Sequence, residues 1–109
     1  MKKIIIILLL FFALPALAYY NPGQPSGFVN DYASVLTSEQ KQALENKLAQ
    51  FNKEASNEIA VVLISSLQDD TIENFAVKLF EDWQIGKKGK DNGVLVLVAK
   101  DDRKMRIEV

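Results

Sequence analysis

Two apolar segments decide the fold: residues 59–64 read IAVVLI and residues 94–99 read VLVLVA. Neither segment has a polar position, and at least half of each is β-branched, which favours strands. A strand with one solvated face would alternate apolar and polar residues. The two segments are therefore predicted to be strands buried on both faces, as in the middle of a parallel sheet.

An amphipathic helix is predicted before the first of these strands. Thr37 and Gln40 have the spacing of a capping box, in which each side chain bonds the other residue's backbone N–H. The apolar positions then recur every three or four residues, at Leu44, Leu48, Phe51 and Ala55. The helix is expected to end near residues 56–57.

A second helix is predicted between the two strands. Asp70 is expected to cap it, with Glu73 completing a capping box. Its apolar face comprises Ile72, Phe75, Ala76, Leu79, Phe80 and Trp83. Gly86 is expected to end the helix in a left-handed conformation.

Residues 100–103 predict a turn into a third strand, in which Met105, Ile107 and Val109 alternate with charged residues. Alternation predicts one buried apolar face and one wet face. A right-handed crossover makes the first two strands parallel, and the third returns antiparallel. We therefore expect an α/β fold, a three-layer α/β/α sandwich whose sheet has two parallel core strands and an antiparallel hairpin strand. Two helices can hardly cover both faces, so residues 28–109 are expected to be the incomplete N-terminal part of a domain.

Composition excludes several classes of function. The 109 residues include 13 Lys and Arg, 14 Asp and Glu, and no histidine or cysteine. Disulfides, thiolate nucleophiles and a Ser-His-Asp triad are thus excluded. A net charge of −1 gives no electrostatic reason to bind nucleic acid.

The N-terminus predicts export. Lys2 and Lys3 precede an apolar run over residues 4–14, and Ala16 and Ala18 form an A-x-A cleavage site. The run is shorter than the roughly 20 residues that a membrane-spanning helix needs. We therefore expect a signal peptide over residues 1–18, an extended linker over 19–27, and a periplasmic or extracellular protein of the cell envelope.

Four blocks of the sequence together resemble the TPM domain family. They are GFVNDYASVL (27–36), IAVV (59–62), FEDWQIGKKGKDNGVL (80–95) and DDRKMRIEV (101–109). The resemblance implies a three-layer α/β/α fold in an envelope or thylakoid-lumen setting, with a link to photosystem II repair in plants. It also implies acid-phosphatase-like or divalent-cation-binding behaviour. Family members normally continue with a Gly-Tyr-Gly segment and further helices, and many carry a C-terminal membrane helix, so membrane association is expected here only through an uncleaved signal or a missing C-terminal segment.

A candidate site lies beyond the carboxyl ends of the strands, where α/β sheets bind ligands. Asp31, Asp101 and Asp102 are candidate ligands for Ca²⁺ or Mg²⁺, because hard cations prefer carboxylate oxygens. Arg103 is a candidate anion-binding residue beside them. Asp69 also falls at this edge.

Each aspartate has a structural alternative as well. Asp70 suits a helix cap, and Asp69 suits a solvated loop. Tight-turn chemistry alone explains Asp101 and Asp102. Asp31 could equally pin local backbone.

Other polar motifs are weaker. The loop GKKGKDNG (86–93) is glycine-rich, but its spacing matches no phosphate-binding motif and it leads from helix to strand. Ser65 and Ser66 are hydroxyls at a strand end without a histidine base.

Two functions follow. One is a divalent-cation-binding module that acts in the assembly or turnover of membrane-protein complexes. The other is a metal-assisted acid-phosphatase-like hydrolase, in which Asp31, Asp101 and Asp102 hold the metal and Arg103 meets the phosphate. The absence of a nucleophile with its base favours the module.

Overall fold

Four strands form one mixed sheet with two helices packed on it. The computed structural model describes residues 19–86 and 92–109. In chain order the elements are β1 (Val29–Asp31), α1 (Ser38–Ala55), β2 (Glu58–Ile64), α2 (Ile72–Asp82), β3 (Gly93–Ala99) and β4 (Lys104–Glu108). The predicted signal peptide and most of the glycine-rich loop lie outside the described residues.

The sheet order is β1-β2-β3-β4, with β1, β2 and β3 parallel and β4 antiparallel to β3. Both core strands, their parallel pairing and the antiparallel return are confirmed, and so is the α/β sandwich class. The pairing aligns residues in rows across the sheet, for example Val61, Val96 and Ile107. Residues of one row face the same side, which makes the two faces of the sheet easy to assign.

The main core lies between the sheet and α2. Alternate residues of β2 and β3, such as Val62 and Leu97, pack with Phe75 and Leu79 of α2 at zero exposure. Their odd-numbered neighbours in β2 face the other side, towards α1. β2 meets helices on both faces, as its lack of alternation predicts, whereas β3 is fully buried only on the α2 side and its valines on the other side are half-buried.

Helix α1 begins as predicted. The Thr37 hydroxyl accepts from Gln40 N (3.1 Å), and Gln40 Oε1 accepts from Thr37 N (2.9 Å). The helix ends at Ala55, followed by Ser56 in the left-handed conformation. Its Cα atoms come within 8 Å of β1 and β2 and, among the described elements, not of β3 or β4.

The predicted cap of α2 is wrong by one residue. Thr71 is the N-cap, because its hydroxyl accepts from Asn74 N (3.0 Å). Asp70 instead accepts from the backbone of Thr71 and the amide of Asn74. The helix ends at Asp82, and Trp83 is its C-cap. Gly86 has the expected left-handed conformation, with a φ of +83°, but it lies four residues beyond the last helical residue and does not end the helix.

The faces of β4 are the reverse of the prediction. Met105 and Ile107 are 62% and 57% exposed, whereas Arg106 and Glu108 are half-buried on the α2 side and form an ion pair. The alternation predicted that the apolar side would be buried. It is not, because α1 stops short of β3 and β4.

Candidate functional site

Three connections leave the carboxyl ends of β1, β2 and β3 at one edge of the sheet. They are residues 31–36, 65–71 and 100–103, and we call them together the carboxyl-end rim. The parallel pairing of the three strands brings them to this edge. Every sequence-predicted site residue belongs to the rim.

Asp31, the last residue of β1, folds its own connection. Its carboxylate accepts from the N–H groups of Ala33 (3.2 Å), Val35 (3.1 Å) and Leu36 (2.7 Å). Burial raises the pKa of Asp31, but these N–H groups and that of Ser34 lower it by more, so the net pKa lies below its ordinary value. The charge of Asp31 is therefore matched by backbone dipoles. The resulting bend ends at Thr37, where α1 begins.

Asp102 connects the other two parts of the rim. Its Oδ2 accepts from Leu67 N at 2.7 Å, which joins the turn after β3 to the connection after β2. Backbone bonds strengthen the junction, since Asp101 N donates to Ser65 O (2.8 Å) and Lys100 N to Ile64 O (2.9 Å). Asp102 therefore braces two loops against each other.

The exposed charges of the rim are Asp69, Lys100, Asp101, Asp102 and Arg103. Asp101 pairs with its neighbour Lys100 at 3.0 Å, and both side chains are at least half exposed, so the pair contributes little. Asp69 and Arg103 have left-handed backbone, with φ of 71° and 55°. Arg103 N closes the turn by donating to Lys100 O (3.2 Å), and in the described part of the chain its side chain forms no ion pair.

The rim, as the structure describes it, does not gather the carboxylates that the predicted cation site needs. Among residues 19–86 and 92–109, no group of three or more aspartates and glutamates is placed to hold a metal ion. The carboxylates of Asp31 and Asp102 accept hydrogen bonds from backbone N–H groups, and Asp101 forms an ion pair with Lys100. A Ca²⁺ site needs six to eight oxygen ligands around one point.

Of the two serines that follow β2, Ser66 has a hydroxyl that is engaged in a hydrogen bond. Ser66 Oγ accepts from Gln68 N (2.9 Å) and so holds a left-handed turn at Gln68. Ser66 O accepts from the hydroxyl of Tyr20 (2.7 Å). No histidine or cysteine exists in the chain to activate a serine.

Sequence reasoning missed a further part of the site, the N-terminal strap, which we define as residues 19–23. Tyr19 and Tyr20 each meet the ring of Phe75 edge-on, with centroids 5.0 Å apart. The Tyr19 hydroxyl donates to Asp82 Oδ2 (2.9 Å), and Trp83 Nε1 donates to Gly23 O (2.9 Å). The segment predicted as a linker is thus packed on α2, and its two adjacent tyrosines were the signal for this.

The strap reaches the rim through Tyr20. Burial raises the pKa of the Tyr20 hydroxyl, and the negative charge of Asp102 raises it further. The hydroxyl therefore stays protonated and donates to Ser66 O. Strap, rim and α2 form one connected hydrogen-bonded unit.

The glycines on either side of the glycine-rich loop are explained by contact between them. A Cβ built on Gly93 would lie 2.6 Å from Gly86 N, and one built on Gly86 would lie 2.8 Å from Gly93 N. Gly86 N also donates to Glu58 Oε1 (2.9 Å). The two glycines let the backbone close at the amino end of β3, the end of the sheet away from the rim; residues 87–91 lie outside the described part.

Comparison with known proteins identifies relatives. The family model described as "TPM domain" matches residues 29–109. The solution NMR structure of the N-terminal domain of a protein from P. gingivalis is similar, with a TM-score of 0.70 and 30% sequence identity. The match covers 75% of this chain and 52% of that one, so this chain spans about half of that structure. No curated protein sequence matches.

In the described ranges, no helix has the length and apolar character needed to cross a bilayer.

Proposed function

Because the chain belongs to the TPM domain family, we propose that it is a non-catalytic binding module of the cell envelope that acts in the assembly or turnover of membrane-protein complexes. The hydrogen bonds of the rim carboxylates are the observation that supports a non-catalytic role. Asp31 and Asp102 accept short hydrogen bonds from backbone N–H groups of the rim. They hold loops in place instead of pointing at a common ligand.

The alternative, a metal-assisted phosphatase, is less well supported by this geometry. Such an enzyme needs carboxylates that converge on a metal, which then activates water and polarises the phosphoryl group. Recruiting Asp31 would leave the N–H groups of residues 33–36 without their acceptor, at a cost of about 1 kcal/mol or more for each that stays dry. The proposed module works without a cation and uses the rim as a rigid, polar binding edge.

Export is the second part of the proposal. We propose that residues 1–18 are removed as a signal peptide and that the protein acts in the periplasm or outside the cell. Support comes from the strap, because Tyr19, the first residue after the predicted cleavage site, packs on Phe75 and bonds Asp82. The mature N-terminus would thus be a folded part of the domain. Mass spectrometry of the exported protein tests this, and a first residue other than Tyr19 would contradict it.

A phosphatase assay separates the two functions. The purified chain without residues 1–18 is assayed on p-nitrophenyl phosphate with Ca²⁺ or Mg²⁺, beside Asp101→Ala and the matched control Asp69→Asn. We expect no activity that depends on Asp101. Cation-dependent hydrolysis that is lost in Asp101→Ala and kept in Asp69→Asn would overturn the proposal in favour of the phosphatase.

Cation binding is tested by following backbone amides during separate Ca²⁺ and Mg²⁺ titrations. We expect shifts that grow linearly with concentration and do not saturate. Saturable shifts at Asp31, Asp101 and Asp102 would establish the cation site that the sequence predicts.

Docking through the rim is tested with a photo-crosslinking amino acid in the cells that make the protein. Gln68 and Arg103 are exposed rim positions, and Lys53 on α1 is an exposed control away from it. We expect crosslinks from the rim positions to integral membrane proteins that the Lys53 position does not give. The same products from all three positions, or no membrane protein among them, would refute docking through the rim.

A further inference from the structure

The two edges of the sheet differ in how they are protected. The outer edge of β1 is closed, because the Glu45 carboxylate of α1 accepts from Phe28 N (3.0 Å) and Val29 N (2.9 Å). β1 is also only three residues long, and the chain bends away after Asp31. An unpaired strand edge is a template for pairing with another strand, and natural proteins prevent this by shortening or covering the edge.

β4 forms the other edge of the sheet, and it is open. It runs over five residues, Lys104–Glu108, and pairs with β3 without a break. Among the described elements only β3 and α2 come near it, and α2 packs on a face of the sheet and not beyond its edge. The sheet can therefore be extended at β4, whereas β1 is closed to a further strand.

The backbone groups of β4 that point outward belong to Met105 and Ile107. Lys100 N, just after β3, donates to Ile64 O of β2, so alternate residues counted back from Lys100 direct their backbone groups to β2. The residues between them face β4, where the pairing sets them opposite the even-numbered residues. The N–H and C=O of Met105 and Ile107 therefore face away from β3, and no hydrogen bond in the described structure engages them.

Charge selects one register in which two copies of β4 pair antiparallel. Outward-facing residues must lie opposite each other, so odd-numbered residues meet odd-numbered ones. With Ile107 opposite its own copy, Arg106 lies opposite Glu108 of the second copy. In the same register Met105 lies opposite Val109. Sliding one strand by two residues brings either Arg106 or Glu108 opposite its own copy, and like charges directly opposite are destabilising.

We propose that two copies of this chain pair along β4 about a two-fold axis at Ile107 and so form one continuous sheet of eight strands. The outward N–H and C=O groups supply the hydrogen bonds between the copies. Met105, Ile107 and Val109 are 62%, 57% and 80% exposed in one copy, and each gains an apolar neighbour across the axis. On the α2 side, Arg106 and Glu108 gain partners of opposite charge.

A second copy fits this edge better than an extended segment of an unrelated protein does. Any extended chain can bond the outward backbone groups, but charged side chains on an edge strand normally oppose pairing. A second copy supplies the matching charges by symmetry, because the strand carries both signs on one face. The two-fold arrangement also uses the same surface on both copies, as closed dimers do.

Cysteine crosslinking tests the register, because the natural chain has no cysteine. Ile107→Cys places two thiols opposite each other with Cα atoms about 5.5 Å apart, which a disulfide can span. Met105→Cys is the matched control, since Met105 is similarly exposed on the same side of β4. In the proposed register its two copies are four residues apart, about 14 Å along the strand.

We expect a mild oxidant to crosslink the purified Ile107→Cys protein at least about tenfold faster than the Met105→Cys protein. The double variant Met105→Cys with Val109→Cys should crosslink as fast as Ile107→Cys, because these two positions face each other. Equal crosslinking of the two single variants would indicate contact through exposed apolar side chains without strand pairing and would overturn the proposal. Crosslinking of neither would overturn it as well.

A proline at the axis gives a measurement without thiols. Because the N–H of residue 107 points away from β3, Ile107→Pro removes no hydrogen bond of a single copy, but it removes the two donors at the axis of the dimer. The natural chain and the control Ile107→Val should change from monomer to dimer in sedimentation between about 1 and 100 μM, as small interfaces do. Ile107→Pro should stay monomeric with an unchanged circular dichroism spectrum.

Two sedimentation results would contradict the proposal. A natural chain that stays monomeric throughout this range would leave the edge to another protein, and dimers of Ile107→Pro as stable as those of the natural chain would exclude pairing through β4. Charge exchange tests the register again. Arg106→Glu should abolish the dimer, and adding Glu108→Arg should restore it; a folded double variant that remains monomeric would overturn the charge pairing.

Discussion

Replacing Asp31 with alanine should destabilise the protein in the complete absence of metal. The carboxylate accepts three backbone hydrogen bonds, at 3.2, 3.1 and 2.7 Å, from residues that lead into α1. Alanine removes both acceptor oxygens, so all three hydrogen bonds that hold this connection are lost. A residue whose only role was to bind a cation would not behave in this way.

The size of the effect follows from how dry these donors are. A buried N–H that loses its acceptor costs about 1–3 kcal/mol, but water can reach part of this loop, since Ser34 and Val35 are exposed. About 0.7 kcal/mol for each donor gives a total of about 2 kcal/mol, which is also the upper end for loss of a helix cap. For a domain of this size we expect the melting temperature to fall by about 10 °C. Asp31→Asn keeps one acceptor oxygen and should lose about half as much.

The effect should also depend on pH. The pKa of Asp31 in the folded protein lies below its ordinary value, so the ionised carboxylate stabilises the fold above the unfolded-state pKa of about 4. This stabilisation is lost as the pH falls through the lower, folded-state pKa. The difference in unfolding free energy between the natural chain and Asp31→Asn should be full at pH 6 and shrink below pH 4.

Urea unfolding at pH 6 in EDTA, followed by circular dichroism, measures the effect. Asp101→Asn is the matched control, because it removes the same charge from an exposed ion pair and should change stability by less than about 0.5 kcal/mol. If Asp31→Ala and Asp101→Asn unfold at the same urea concentration as the natural chain, the bracing role of Asp31 is refuted.

Three further predictions concern the strap and the glycine contact. Tyr20→Phe keeps the ring on Phe75 but removes the 2.7 Å bond to Ser66 O. The free energy of unfolding in urea should fall by about 1 kcal/mol, and amide hydrogen exchange should become faster in residues 65–70. Unchanged exchange there would contradict the link to the rim. Gly93→Ala places a Cβ 2.6 Å from the backbone of Gly86, and we expect a loss of more than about 2 kcal/mol. Gly27→Ala places a Cβ 2.8 Å from the Glu45 carboxylate, which accepts from Phe28 N and Val29 N. Gly27→Ala should cost less, because a side chain can shift more readily than backbone, and the reverse order in thermal melts would contradict this. Burial raises the pKa of the Tyr19 hydroxyl, and its bond to Asp82 raises it further. The stability that the protonated hydroxyl contributes is present below about pH 10 and is lost as the pH rises above that value. Tyr19→Phe should therefore flatten the decline of the urea midpoint between pH 9 and 11, and an identical decline in both proteins would exclude this role.

The sequence predicts the core of this fold because its strongest patterns are local. The uniform apolar character of β2 predicts its burial between two helices, and the Thr37 capping box fixes where α1 begins. The same pattern in β3 predicts cover on both faces, but in the described structure only the α2 side of β3 is fully buried. β1 was not predicted, because three residues are too few to show a period and its pairing with β2 depends on distant sequence. The direction in which β4 faces could not be predicted either, since alternation identifies an apolar side but not the presence of a helix to cover it.

The placement of the three aspartates at one edge of the sheet was predicted, but the hydrogen bonds that engage Asp31 and Asp102 were not. Parallel strands necessarily bring Asp31, Asp101 and Asp102 to one edge. Whether a carboxylate there is free depends on the loop conformation, such as the path of residues 65–67 that brings Leu67 N to Asp102. Sequence patterns do not encode such a path, and the structural alternative for Asp31 is the one that its hydrogen bonds support.

Hydrogen bonds link the strap to the two connections of the rim that follow β2 and β3. The Tyr20 hydroxyl donates to Ser66 O, and Leu67 N donates to the Asp102 carboxylate. Asp101 N in turn donates to Ser65 O. A loop held at three successive residues has few conformations to lose on binding, so a partner pays little ordering entropy there. The two tyrosines at the start of the predicted mature chain thereby contribute to the rigidity of the edge that we propose for docking, because they connect the strap to the turn that follows β3.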